Sequence, residues 1–281
     1  MIADWIVPPA WRGPVSDFRY KVTRPQFAAL LKRNRELYRK YADRKRCFVI
    51  GNGPSLKTQD IRPLKDEVTI VANSFFKHPD HALVSPTYCC VADTEHISGL
   101  PNSIGWLREI ESKLPKTDLC FLPQAKGLFE EHGLFRHHNV YYMDTSHAAT
   151  SADHLQIDLT RRLRVGKSTG TAFAIPLAIY LGCPEIYLIG FDANWLADLD
   201  NCNLHFYETN EYFPQFDKTQ TPGQTVEHEL ACCHLDFKSH RLLRDSAKRV
   251  GIKIINATNG GWLDMYPRVH YESLFETRQT Q

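Results

Sequence analysis

Gly51-Asn52-Gly53-Pro54-Ser55 follows at once on an apolar run, Cys47 to Ile50. Two glycines, an amide and a hydroxyl at the end of a buried strand expose backbone N–H groups where a helix can begin, and such turns cradle phosphate. The spacing is neither the P-loop pattern nor Gly-x-Gly-x-x-Gly, since Leu56 stands where a third glycine belongs. The loop therefore predicts an anion site without choosing its ligand. Further polar groups recur after apolar runs: Asn73-Ser74, Asp93-Thr94-Glu95-His96, Gly190-Phe191-Asp192 and Asn256 to Gly261. Any one of these can be a plain turn, because Asn, Asp and Gly favour turns on local grounds. Together they predict a rim of amides, carboxylates and glycine backbone suited to a nucleotide. Lys167-Ser168-Thr169-Gly170 opens a predicted helix and offers a second phosphate site or an ordinary cap.

Proton transfer needs a group that titrates near neutrality, and the chain has 13 histidines. His205 lies in an aromatic segment with Tyr207 and Tyr212, whose hydroxyls can assist a departing phosphate or simply pack. His228 and His234 flank Cys232-Cys233. Adjacent cysteines rarely share one ion, so these four favour a general base over zinc. Asp93 and Asp192 are the carboxylates best placed to hold Mg²⁺ on a phosphate.

The elements that must position these groups alternate. Seven apolar runs read as strands: Cys47–Gly51, Val68–Asn73, Thr87–Asp93, Asp118–Pro123, Asn139–Asp144, Glu185–Asp192 and Gly251–Thr258. Continuous rather than alternating apolar character predicts parallel strands buried on both faces. Helical periodicity falls at Ser103–Lys113, Ser168–Leu181 and Leu235–Val250, with Pro176 predicting a kink or late start in the second. The fold class is therefore α/β, a Rossmann-like, doubly wound, mostly parallel sheet of about seven strands. Residues 193–233 lack periodicity yet are rich in aromatics, and read as a substrate lid. Residues 1–45 read as an irregular leader and a basic amphipathic helix from Pro25 to about Ala42, and 46–281 as one nucleotide-binding domain.

With 281 residues, 43% apolar and 23% charged, the composition is that of a globular protein, and a net charge of +2 gives no global demand for nucleic acid. Nine Arg or Lys against two acids between Arg24 and Arg46 make either a solvated helix face or a docking face for a membrane or anionic polymer. The eight cysteines form no CxxC and no disulfide framework. Neither a secretory signal nor an apolar run of membrane-spanning length is read, so a reducing cytoplasm is expected, with the inner face of the membrane open through the basic segment.

Four stretches carry a family likeness. "FVIGNGPSL", "VANSFF", "GTAFAIPLAIYLGCPEIYLIGFD" and "NATNGGWLDMYPRV" resemble the bacterial DUF115-like group, related to the glycosyltransferase family 42 sialyltransferases and to archaeal 6-hydroxymethylpterin diphosphokinases. The likeness covers roughly Arg46 to Val269 and implies a GT-A-like variant of the fold. The sialyltransferase branch implies a CMP-linked sugar donor and a glycan acceptor, with no obligatory cofactor. It puts Gly51, Asn52 and Gly53 (with Ser55) at the donor phosphate and Asn73 on the nucleotide. Ser168, Thr169, Gly170 and Gly190 would lie at the cytidine monophosphate, His234 would be the base, and Tyr207 and Tyr212 would assist departure. Two positions depart from that branch: Asp93 replaces an amide, and Lys167 stands where an arginine is expected. Asp93 opposite Asp192 fits instead a Mg²⁺-dependent diphosphokinase, and a non-catalytic nucleotide-binding module is the third reading.

Overall fold

A computed structural model describes residues 9–92, 99, 101–146, 155–166, 168–198, 205–207 and 225–276. All seven predicted strands form: β1 Arg46–Ile50, β2 Val68–Ala72, β3 Tyr88–Val91, β4 Asp118–Phe121, β5 Val140–Tyr142, β6 Glu185–Ile189 and β7 Lys253–Asn256. They make one parallel sheet in the order β5-β4-β3-β2-β1-β6-β7. The fold is Rossmann-like. Alternate strand residues feed two separate cores, one on each face, as burial on both sides requires. Cys47, Val49, Ile70 and Cys90 enter the first core. Phe48, Ile50, Val71 and Phe121 enter the second.

The helices are α1 Pro9–Thr23, α2 Pro25–Leu31, α3 His81–Val84, α4 Pro101–Lys113, α5 Ala125–His132, α6 Ile175–Leu181 and α7 Val226–Arg249. The α7 residues Leu243 and Ala247 pack with α6 on the first core, while Trp106, Leu107 and Ile110 of α4 fill the second. Pro176 is accommodated by a π turn, Gly170–Ala174, ahead of α6. There the Ile175 N–H donates to the Gly170 carbonyl, one residue further back than in an α-helix.

Three boundaries differ from the sequence expectation. Residues 9–23, read as irregular because prolines break the apolar period, form α1. Asp17 of α1 pairs with Arg164 at 3.1 Å, and Tyr20 is buried beneath the guanidinium of Arg162. The basic helix expected over Pro25 to Ala42 stops at Leu31 and tightens into a 3₁₀ turn, Lys32–Leu37. Buried Asn34 lies in that turn and donates to the carbonyls of Tyr142 and Leu159, both at 2.7 Å. Finally, α7 begins at Val226, so residues 226–233, assigned to the lid, are its first two turns. Val226 and Leu230 are exposed there and only Cys233 at their end is buried, so those turns show no apolar period to read. The Thr225 side chain caps the helix by accepting from the His228 N–H.

Candidate functional site

The order of strands reverses between β1 and β6: one half of the chain extends the sheet on the β2 side of β1, the other on the β6 side. Ligand crevices in open α/β sheets open at such a switch point, beyond the carboxyl ends of the strands. The two loops there are laced together. Gly51 N–H donates to the Ile189 carbonyl at 2.8 Å and Gly53 N–H to the Gly190 carbonyl at 2.9 Å. The backbones lie so close that a Cβ on Gly51 would overlap the Gly190 carbonyl, which accounts for glycine at this position.

Beyond this seam lies a cavity of about 130 Å³, lined by Gly51, Asn52, Gly53, Asn73, Ser168, Thr169, Gly170, Gly190, Asp192 and His205, all singled out in the sequence. Ser55 stands behind it. Asp93, Lys167 and Tyr212 lie outside the described residues. Tyr207 stacks on His205 with ring centroids 5.0 Å apart and carries Lys77 over its ring. The strap around it is fixed to the first loop by a Phe206 N–H to Asn52 carbonyl bond of 2.9 Å. A larger cavity, about 950 Å³, is lined by residues that precede β6 and β7 in the chain, including Gly182, Pro184 and Ile252, and shares no residue with this cleft. It holds none of the residues picked out for chemistry, so size does not locate the site.

His234 does not face the cleft. Helix α7 turns Asp236, His240, Leu243 and Ala247 inward at i, i+4, i+7 and i+11. His234, two residues before Asp236, falls on the opposite side and is exposed. The groups that α7 does present are Asp236 and His240, both lining the cavity. Sequence reading missed them because it began the helix at Leu235 and sought the base at its start. The Asp-x3-His spacing on one apolar helical face was the available signal.

Both carboxylates at the site are already engaged. Asp236 Oδ1 accepts from the hydroxyls of Thr171 at 2.6 Å and Ser168 at 2.9 Å and from the Ser168 N–H at 3.2 Å. Asp192 accepts from the Ser55 hydroxyl at 2.8 Å and the Ser55 N–H at 3.2 Å. Burial pushes the Asp192 pKa up against those stabilising hydrogen bonds. A Cβ on Gly53 would collide with this carboxylate. Each of the two turns read as anion cradles thus already holds a carboxylate of the protein, so their chemistry favours ligand hydroxyls beside them. Two acceptors are left buried and unpartnered, Asn52 Oδ1 and Asp236 Oδ2. The Asn52 amide donates to the Ala72 carbonyl at 2.8 Å, which fixes which way its oxygen faces.

The His240 tautomer follows from its neighbours. Tyr266 gives its hydroxyl proton to the His240 carbonyl at 3.0 Å, so ring Nδ1, 3.0 Å from the Tyr266 hydroxyl oxygen, is the donor to that oxygen. Nε2 is then the basic nitrogen, and it faces Asp236 Oδ2 at 3.7 Å. Burial lowers the His240 pKa, opposed by the Asp236 charge. Burial also lowers that of His205, opposed by the Asn52 backbone. Asn73 takes a left-handed backbone, φ 46°, and accepts from the Thr169 hydroxyl at 3.3 Å; Ala193 is left-handed too, φ 51°. Such conformations cost on the order of 1–2 kcal/mol outside glycine and mark a rim held by its surroundings.

No group of three or more His, Cys, Asp or Glu able to hold a metal occurs among the described residues. Among His228, Cys232, Cys233 and His234, the group that the sequence disfavours as a zinc site, Cys232 Sγ lies 3.4 Å from His228 Nε2. The described cysteines are free thiols. No helix among the described residues is long and apolar enough to cross a membrane. Comparison with protein-family models, with curated proteins and with solved structures found no match in any of the three.

Proposed function

We propose that this chain is a glycosyltransferase that uses a nucleotide-activated sugar, CMP-linked by its resemblance to the sialyltransferases, and inverts the anomeric centre. One observation carries the reading. Buried acceptors without partners, Asn52 Oδ1 and Asp236 Oδ2, converge with two neutral-leaning histidines on one cleft at the sheet's switch point. Acceptor-rich walls suit ribose and sugar hydroxyls. Among the described residues, no lysine or arginine lines the cleft, which argues against a triphosphate lying wholly within it.

His240 replaces His234 as the base in this reading. A hydroxyl oxygen about 2.8 Å from both Nε2 and Asp236 Oδ2 fits between atoms 3.7 Å apart. The acceptor hydroxyl gives its proton to Nε2 as its oxygen bonds to the anomeric carbon. The bond from that carbon to the phosphate oxygen breaks, and the nucleotide leaves with the electron pair. Asp236 steadies the imidazolium that forms, and Tyr266 holds the ring through Nδ1.

A thermal-shift panel of CMP, CDP, UDP, GDP and ATP, with and without Mg²⁺, tests the ligand class, since binding to the folded state raises Tm. A cytidine nucleotide without metal is the expected stabiliser. Activity abolished by EDTA together with an ATP shift transfers the site to the diphosphokinase reading. Nucleotide binding with no turnover of any sugar donor leaves a binding module. His240→Ala is expected to lower turnover by roughly 10²–10⁴ while sparing nucleotide affinity. His234→Ala should leave the rate as it was.

A further inference from the structure

Over the described side chains of helix α1, Val15 and Asp17 to Thr23, the apolar stripe faces outward. Val15, Phe18 and Val22 repeat at i, i+3 and i+7, one helical stripe, and are 44%, 71% and 62% exposed. Tyr20, on the other side of the helix, faces the protein, at 6% exposure. The acid Asp17 also points inward, to Arg164. Arg19 and Lys21 flank the outward stripe, and neither belongs to an ion pair among the described residues. An exposed large aromatic between two valines is not what a solvated helix shows.

The surroundings fix the sign of the partner. Arg35 and Arg161 line both the cavity beneath α1 and the adjoining groove of about 950 Å³. That groove also carries Arg39 and Arg249, with Asp158 as its one carboxylate among the described residues, held by Arg161 at 3.2 Å. Arg35, Arg39 and Arg249 have no ion-pair partner among the described residues. A second copy of the same basic face would bring like charges together. An anionic surface neutralises them and takes up the apolar stripe.

We infer that α1 is a peripheral membrane anchor: it lies along the surface of an anionic bilayer, with Val15, Phe18 and Val22 in the headgroup–acyl boundary and Arg19 and Lys21 on lipid phosphates. The neighbouring arginines add long-range attraction. This places the contact one helix earlier than the 25–46 segment expected from charge alone, whose Asn34, Leu31 and Leu37 are buried in the fold. The inference stands apart from the enzymatic reading, and its test needs no substrate.

The test is co-sedimentation of the full chain with phosphatidylcholine vesicles, with and without phosphatidylglycerol. Binding is expected only to the anionic vesicles and should fall with added salt. Arg19→Glu/Lys21→Glu should weaken it by roughly thirtyfold or more. Phe18→Asp should abolish stable binding without lowering Tm, because the side chain lies outside the packed interior. Equal binding to neutral vesicles, or none to either, overturns the inference. So does a concentration-dependent dimer, seen by light scattering, that Phe18→Asp dissolves.

Discussion

Two corners of the same sheet are built on opposite principles. Below β4 and β5, Phe121, Phe129 and Phe135 form a closed triangle with centroids 4.7, 4.9 and 5.3 Å apart, in edge and tilted contacts. That corner is space-filling and apolar. At the β1–β6 end, backbone meets backbone without side chains between, left-handed residues recur, and buried oxygens lack donors. One corner spends its residues on cohesion and the other on holding groups ready for something else. Mutations should therefore separate stability from binding according to the corner they strike.

Phe121→Ala should have the largest effect on folding, about 3–5 kcal/mol by chemical denaturation, from lost burial plus a cavity. The fraction that remains folded should bind nucleotide with unchanged affinity; weakened binding there would break the contrast. Gly53→Ala should invert the pattern. Displacing the Asp192 carboxylate costs about 1–3 kcal/mol as local overpacking, while nucleotide-induced stabilisation disappears. A variant that still binds would show that the loop tolerates a shifted Asp192.

The smallest effect is on pH. Burial lowers the pKa of His78, His205 and His240 below the ordinary histidine value. Below about pH 6.5 the unfolded chain takes up protons that the folded chain refuses, so stability is flat above that point and declines as pH falls through it. Asp192, whose pKa is raised, acts with the opposite sign in the lower carboxylate range. His205→Asn should flatten part of the decline between pH 6.5 and 5, read as Tm against pH. An unaltered slope would place the proton uptake elsewhere.

How much of this was legible in the sequence follows from what burial writes into residue types. The strands were readable because a parallel strand buried on both faces must be apolar throughout, as in Cys47 to Ile50 and Ile186 to Ile189. The rim was readable because polar residues such as Asn52, Asn73 and Asp192 are costly at strand ends unless they have something to hold. His240 was missed despite its Asp-x3-His spacing, because a histidine inside an amphipathic helix otherwise looks like any packed one. The engagement of Asp192 by Ser55 was hidden as well, for the partners are far apart in the chain and nothing local marks them.

The order of the strands also sets when the cleft can exist. During synthesis, β1 to β5 can pair as they emerge, each beside the one before. β6 must then cross back over the finished half to lie against β1, and only afterwards can α7 bring Asp236 and His240 to the cleft. A growing chain is thus a nearly complete sheet with an open flank long before its cleft is closed. A chain cut ahead of Asp236 should keep much of its secondary structure while losing one wall of the pocket.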